Sequence, residues 1–435
     1  MTPVTMRIAL ETMLLAGALA LAGCGDNEDI APPDEPDEPD VPDTCQPAAM
    51  RADLPWHGTN RETLTTWLDS RGCKSQGFEP ARRPIALFDW DNTILKNDIG
   101  DAITFHFISH DLILQPPGQD WKRTSAYMTD AAAAALTAAC GTDVPAGQPL
   151  PTSTNTACAD AILSMYIDNK TGAGATAFTG HDYRRMEPTY AWTAQLLAGY
   201  THAEVQQYAL AAAQPKLEAP IGTTQVVGTR TLNGWLRIYD QIADLIKALK
   251  SRGYDVWVIT ASPEDVVRAV APLAGVASDH VVGIRSLTDG GGKLTYTFEG
   301  CGPVPDGEQS MITYIEGKRC WVNKVVFGDK TAAAIQRRMD PRQVLGAGDA
   351  DTDIEFLRDS TYKLAINRQK RELMCFAYHN EGDSWRVNPM FIEPRAMQTA
   401  LYPCSTTACR RADGTPGPCL DERGMVIPDQ SDRVY

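Results

Sequence analysis

The chain has 435 residues, with 40 Lys and Arg against 55 Asp and Glu and a formal net charge of −15. That length exceeds an ordinary single domain, and with acids in excess nothing in the charge balance argues for nucleic-acid binding.

The amino end carries Arg7 and then an apolar stretch from Met13 to Leu21. This stretch is too short to span a bilayer and has the form of a secretory signal. The ending Leu21-Ala22-Gly23-Cys24 resembles the lipobox of bacterial lipoproteins. It implies removal of residues 1–23, a lipid on Cys24, and an exported protein anchored in the bacterial cell envelope, on the periplasmic side or at the outer membrane. Gly25 to Asp43 holds nine acids and no base, so residues 24–43 are expected as an extended acidic, Pro-rich tether. The tether supplies most of the negative charge, and the remainder is only mildly acidic. Ten cysteines besides Cys24 suggest a disulfide framework in an exported chain. Pairing sequence neighbours gives Cys45 with Cys73, Cys140 with Cys158, Cys301 with Cys320, Cys375 with Cys404, and Cys409 with Cys419. No C-x-x-C pair favours a zinc site instead.

The apolar run Ile85-Ala86-Leu87-Phe88 reads as a buried strand, and Asp89-Trp90-Asp91-Asn92-Thr93 leaves its carboxyl end. In open α/β sheets ligands bind at that end. Two carboxylates spaced by one residue there suit phosphoryl chemistry, one attacking phosphorus and the other moving a proton. Residues 97–230 follow without a strong strand pattern, with helices expected at Thr129 to Ala139 and Ala203 to Ala213. Leu232 to Lys250 is predicted as a helix feeding a strand, Val256 to Thr260. Ser262 is expected to cap a second helix that has Pro263 at its first position and runs through Val270. Between Asp279 and Val326 short strands and turns are predicted, with Gly290-Gly291-Gly292 as a hairpin turn. Asp329-Lys330 is expected to open a helix through Met339. Val344 to Gly348 is a strand ending in a glycine loop at Asp349, and Leu364 to Ile366 is the next strand. The alternation predicts an α/β fold with a doubly wound parallel sheet. The segment after Cys404 is turn-rich and expected to wrap the surface.

Four points now fall in order at strand ends or helix starts: D-W-D-N-T at 89–93, the strand ending in Thr260, Lys330, and G-D-A-D-T-D at 348–353. Together they resemble the four motifs of the haloacid dehalogenase superfamily of phosphohydrolases, over about residues 84–370. The resemblance implies a Rossmann-like core in residues 44–96 and 231–403, an inserted, mainly helical cap at 97–230, and a Cys-rich extension at 404–435. It implies Asp89 as nucleophile and Asp91 as general acid and base. A Mg²⁺ would be held by Asp89, by Asp91 through its backbone carbonyl and by Asp349, with Asp353 binding it through water or orienting Lys330. Thr260 and Lys330 would hold phosphate oxygens. Lys324 competes with Lys330 because it also precedes the fourth motif, and Asp351 competes with Asp353. Gly346-Ala347-Gly348 invites a dinucleotide reading, but Asp351 stands where the third glycine belongs and would repel pyrophosphate.

Asp91 separates phosphatase or phosphomutase chemistry from dehalogenation, and export favours the phosphatase. The implied function is a Mg²⁺-dependent phosphomonoesterase acting on a small phosphorylated metabolite through an aspartyl phosphate. The alternative is a catalytically silent binding lipoprotein of the same fold. Within the superfamily the chain resembles the phosphoserine phosphatase-like branch and the bacterial phosphorylcholine phosphatases. Substrate contacts are expected from His181, Tyr183, Arg184, Arg185, Tyr190 and Trp192, with Arg184 and Arg185 as cations and Tyr190 and Trp192 as part of an aromatic cage for a choline group. His106 and His110 have helical spacing but lack the intervening Glu of zinc-binding helices.

Overall fold

The computed structural model describes residues 45–411 and 414–433. The signal stretch, Cys24 and the tether through Asp43 lie outside the described residues. Ile85–Phe88 is a central strand of a six-stranded sheet, every position of it buried. Across the sheet the order is Trp385–Pro389, Tyr362–Asn367, Gln343–Gly348, Ile85–Phe88, Asp255–Pro263 and Val281–Ile284. All five pairings are parallel. Strands in such a sheet are covered on both faces and so read as unbroken apolar runs. Ala86 and Phe88 join a core with Leu64, Leu245 and Ile246, while Ile85 and Leu87 join another with Trp321, Leu357 and Leu373. This two-sided burial is why 85–88 shows no alternation.

The helix before the second central strand is Asp240–Lys250, with Ile242, Leu245, Ile246 and Leu249 buried at helical spacing. It is shorter than the predicted Leu232 to Lys250. Residues ahead of it are extended, because Leu236 N–H donates to Lys216 O and Tyr239 N–H to Ile94 O, and Arg230–Asn233 pairs with Thr224–Val227. The following strand, Asp255–Pro263, runs beyond Thr260, and the next helix is Glu264–Val270. Ser262 therefore belongs to the strand and does not cap the helix.

Residues 97–230 contain the helices Ile99–Ser109, Asp130–Cys140, Thr156–Asp168, Pro188–Gln195 and His202–Glu218. Asp98, Thr129, Asn155, Glu187 and Thr201 cap all five through their side chains. Their buried faces, including Phe105, Leu136, Ile162 and Ala209, continue the core that contains Ala86 and Phe88. Among the described residues no helix is long and apolar enough to cross a membrane.

The greatest departure from expectation lies in 279–339. The hairpin Ser286–Thr288 with Leu294–Phe298 turns at the three glycines as predicted, and the Asp289 carboxylate accepts the Gly291 and Lys293 N–H groups. Beyond it, however, Glu316–Trp321 is a helix that continues as a π-helical turn, Val322–Val326. The helix expected from Asp329 to Met339 shrinks to one short turn, Ala332–Ile335. Asp329 takes the Thr331 N–H and hydroxyl into a local turn, and Asp359 accepts from Arg337 Nε and Arg338 N–H. These side-chain bonds compete with the helical ladder.

All five predicted cystines are present. Cys301–Cys320 closes 19 residues of separation and anchors the helix Glu316–Trp321 at its fully buried Cys320. Replacing both cysteines by Ala is expected to lower unfolding free energy by about 3 kcal/mol, read as a shifted urea midpoint. An unchanged midpoint would contradict an anchoring contribution.

Candidate active site

Asp89 and Asp349 leave adjacent strands at their carboxyl ends, and both line a cavity of about 470 Å³. Asp89 N–H donates to Ala347 O at 2.9 Å, which fixes the start of the loop against the neighbouring strand. Asn92 sits at φ +63°, a left-handed conformation that Asn tolerates better than most residues and that turns the loop back on itself. The turn brings the buried Thr93 hydroxyl to 3.1 Å from both Asp89 Oδ2 and Asp349 Oδ1, between which its one proton is shared.

The ammonium at the centre is Lys318. Its Nζ donates at 2.6 Å to Asp89 Oδ1 and at 2.6 Å to Asp353 Oδ1, with 1% of the side chain exposed. Burial by itself lowers an ammonium's pKa, but the charges of Asp353 and Asp89 outweigh it and leave Lys318 raised and cationic. Two local features place it. Gly317 packs so tightly on Ile312 O that a Cβ would collide with it, and Ile315 is held at φ +46°, which is costly for a β-branched residue. The expected lysines are elsewhere. Lys330 is exposed. Lys324 donates to Glu299 Oε1 and Gly300 O and lies over the Trp321 ring. Lys318 is not marked in the sequence, because the β-branched and aromatic residues around it favour strands. The available signal was Cys320, whose partner Cys301 pins a short helix there.

The two loop aspartates sit in different surroundings. Asp91 Oδ1 accepts the Ile99 N–H at 2.7 Å and Oδ2 accepts the Ser262 hydroxyl at 2.7 Å. No cation pairs with it among the described residues. Burial first, and the neighbouring Asp98 charge second, raise its pKa well above the ordinary carboxylate range. Asp89 is also raised by burial and by Asp353, against the opposing pull of Lys318. Thr260 is fully buried, and its hydroxyl accepts the Ser262 N–H at 3.1 Å. Ser262, not Thr260, lines the cavity.

Oxygens of Asp89, Asp349 and Asp353 lie within 4.8 Å of one another, an all-oxygen set suited to a hard divalent cation. Asp353 is already committed, with Oδ1 on Lys318 and Oδ2 accepting the N–H groups of Asp349 and Ala350 at 3.0 Å each. Gly348 permits this fold-back, since a Cβ there would lie 2.6 Å from Asp353 Oδ2. The side chain of Asp353 thus orients the lysine and the loop. Asp349 Oδ2 pairs with Arg368 at 2.5 Å. Three carboxylates against Lys318 and Arg368 leave an excess of negative charge, which a bound cation would offset. The carboxylate of Asp91 is outside this group, so any part it takes falls to its backbone carbonyl.

Of the expected substrate contacts, Tyr183, Arg184 and Tyr190 line the cavity. Arg184 is held there by Glu316 and Glu355, each at 2.5 Å. Arg185 is not part of the lining and pairs with Glu316 and Asp182 instead. Trp192 is fully buried and donates to Thr124, so it belongs to the core and not to an aromatic cage. His181 packs edge-on against Tyr127, and His106 and His110 stack on each other along their helix. None of the three lines the cavity.

Residues 84–297 match the family model described as haloacid dehalogenase-like hydrolase. No curated protein matches the chain. Among solved structures, one from Anaerococcus prevotii, described as a conserved functionally unknown protein, shares 19% identity with a TM-score of 0.57, over 78% of this chain and 94% of that one. A protein of unknown function from Bordetella pertussis Tohama I is similar at 17% identity and a TM-score of 0.41, over 71% and 99% of the two chains. A substrate-bound phosphoserine phosphatase is similar at 14% identity and a TM-score of 0.30, over 65% and 86%. The first of these likenesses is one of fold.

Glu372 also lines the cavity, and burial, then the charge of Asp351, lifts its carboxyl from an ordinary 4.5 to about 8. Below about 4.5 the folded and unfolded states are both protonated, and between there and about 8 the folded state holds a proton that the unfolded state has lost. Its contribution to stability therefore declines as pH rises through that window. Glu372→Gln is expected to flatten the decline, measured as urea midpoints across the window. Parallel pH profiles for the two proteins would contradict it.

Proposed function

From the match of residues 84–297 to the haloacid dehalogenase-like hydrolases, we propose that the chain is a Mg²⁺-dependent phosphomonoesterase acting on a small phosphorylated metabolite. The observation that carries this reading is the unequal treatment of Asp89 and Asp91. Asp89 touches the Lys318 cation, whereas among the described residues Asp91 touches a hydroxyl and an amide N–H and no cation. One is placed to be an anionic nucleophile and the other to hold a proton.

Asp89 Oδ attacks phosphorus, and the bond to the leaving oxygen breaks as Asp91 delivers its proton there. Water then attacks the aspartyl phosphate, Asp91 takes up the water's proton, and phosphate departs with Asp89 restored. Lys318 keeps Asp89 aimed and offsets the charge of the transferring group, while Ser262 and Ile99 N–H hold Asp91 in place. Asp89 and Asp349 would hold Mg²⁺, which supplies withdrawal of charge from the phosphoryl oxygens. Asp353 acts through Lys318 and the loop 349–350. Residues 97–230 serve as a cap over the cavity, contributing Tyr183, Arg184 and Tyr190 to its lining.

Export and attachment through Cys24 belong to the same proposal. Their support is the signal-like amino end and the five cystines, which persist in oxidising compartments.

Purified protein with Mg²⁺ is expected to release phosphate from p-nitrophenyl phosphate and to stop on EDTA addition. Asp89→Asn should lose at least about a thousandfold in kcat and Asp91→Asn about a hundredfold or more. Full activity in Asp89→Asn would refute the reading. Phosphate-analogue binding without turnover in the parent would identify the silent binder.

A further inference from the structure

The carboxyl-terminal segment does more than wrap the surface. Ala408 and Arg410 line the same cavity as Asp89. Two cystines fix them there. Cys375–Cys404 ties the segment to the helix Arg371–His379, which supplies Glu372 to the cavity. Cys409–Cys419 closes a second loop, across which Cys409–Arg410 pairs with Pro416–Gly417.

From this position the segment meets residues 183–184. Tyr183 Oη donates to Arg411 O at 2.6 Å, and the Arg410 guanidinium sits 5.5 Å from the centroid of the Tyr183 ring. Gly414, at φ +84°, packs against that ring, where a Cβ would lie 3.1 Å from its Cδ1 and Cε1 atoms. On its other side Arg184 is gripped by Glu316 and Glu355. The cavity-lining pair Tyr183-Arg184 is thus held between the core and the stapled segment. Nothing in the chemistry at Asp89 needs this second grip.

We propose that residues 404–411, stapled by Cys375–Cys404 and Cys409–Cys419, form the outer wall of the cavity and set the size of leaving group it admits. Tyr183 is the positioning residue through which the wall closes on residues 183–184. The proposal rests on the phosphomonoesterase reading for its substrate side, and on contacts alone for the wall. A disulfide at this place stiffens a boundary of the site without touching the reacting atoms, so its loss widens selectivity more than it slows turnover.

The test uses the full chain and two substrates, p-nitrophenyl phosphate and a phosphotyrosyl peptide. In Cys409→Ala/Cys419→Ala, the kcat/KM ratio of peptide to p-nitrophenyl phosphate is expected to rise about tenfold, through KM, while kcat for p-nitrophenyl phosphate changes less than about threefold. Tyr183→Phe, which removes the hydroxyl that donates to Arg411 O and keeps the ring, should move the ratio the same way by about two- to threefold. Amide hydrogen exchange over residues 181–187 should quicken in the cystine variant. An unchanged ratio in a variant that unfolds at the parent's urea midpoint would overturn the proposal, as would a parallel loss of kcat on both substrates. If the parent releases no phosphate, the phosphomonoesterase reading fails, and exchange alone decides whether the wall grips residues 183–184: faster exchange supports it and unchanged exchange overturns it.

Discussion

One buried ammonium bridging two carboxylates organises this molecule. Lys318 lies between Asp89 and Asp353 with almost none of its surface in water. Removing one partner from such a group leaves an uncompensated charge in a low-dielectric interior, at a cost of about 3–5 kcal/mol. The bridge therefore ties three distant parts of the chain into one unit: the central strand through Asp89, the fourth motif through Asp353, and the helix Glu316–Trp321 through Lys318. Gly317, Gly348 and the Cys301–Cys320 cystine all act to bring those parts within reach.

Around that bridge the parallel sheet does the positioning. Its carboxyl ends deliver Asp89, Ser262 and Asp349 to one crevice, as expected for open α/β sheets. Chemical identity is then assigned by neighbours. Asp89 and Asp91 are separated by one residue, yet one faces an ammonium and the other a hydroxyl and an amide. Identical side chains thereby acquire different neighbours, a cation for one and neutral donors for the other, which suits nucleophilic attack by the first and proton transfer by the second. The excess of carboxylates over cations makes the site suited to a divalent ion and to an anionic substrate brought with it.

Much of this was legible in the residues. The strand 85–88 could be read because both faces are buried, and the motifs at 89–93 and 348–353 because loop chemistry constrains short stretches strongly. Neighbour pairing of cysteines succeeded because each pair closes a local loop. Lys318 was not legible, since its helix is six residues long and sits in a sequence of β-branched and aromatic residues. Lys330 looked better placed only because Asp329 and Thr331 resemble a helix start, and their side chains instead build an isolated turn. Thr260 reads as the end of its strand, but the strand continues to Pro263 and presents Ser262. The reach of the segment after Cys404 into the cavity depends on tertiary contacts that no local pattern records.

The most direct test of the account is chemical trapping of the enzyme during turnover. Acid-quenched protein would be reduced with borohydride, digested and read by mass spectrometry for homoserine, the reduction product of an aspartyl phosphate. The account predicts homoserine at position 89 in the parent and in Lys330→Ala, and its loss in Lys318→Ala. Turnover with no homoserine at position 89, or undiminished trapping in Lys318→Ala, would contradict it.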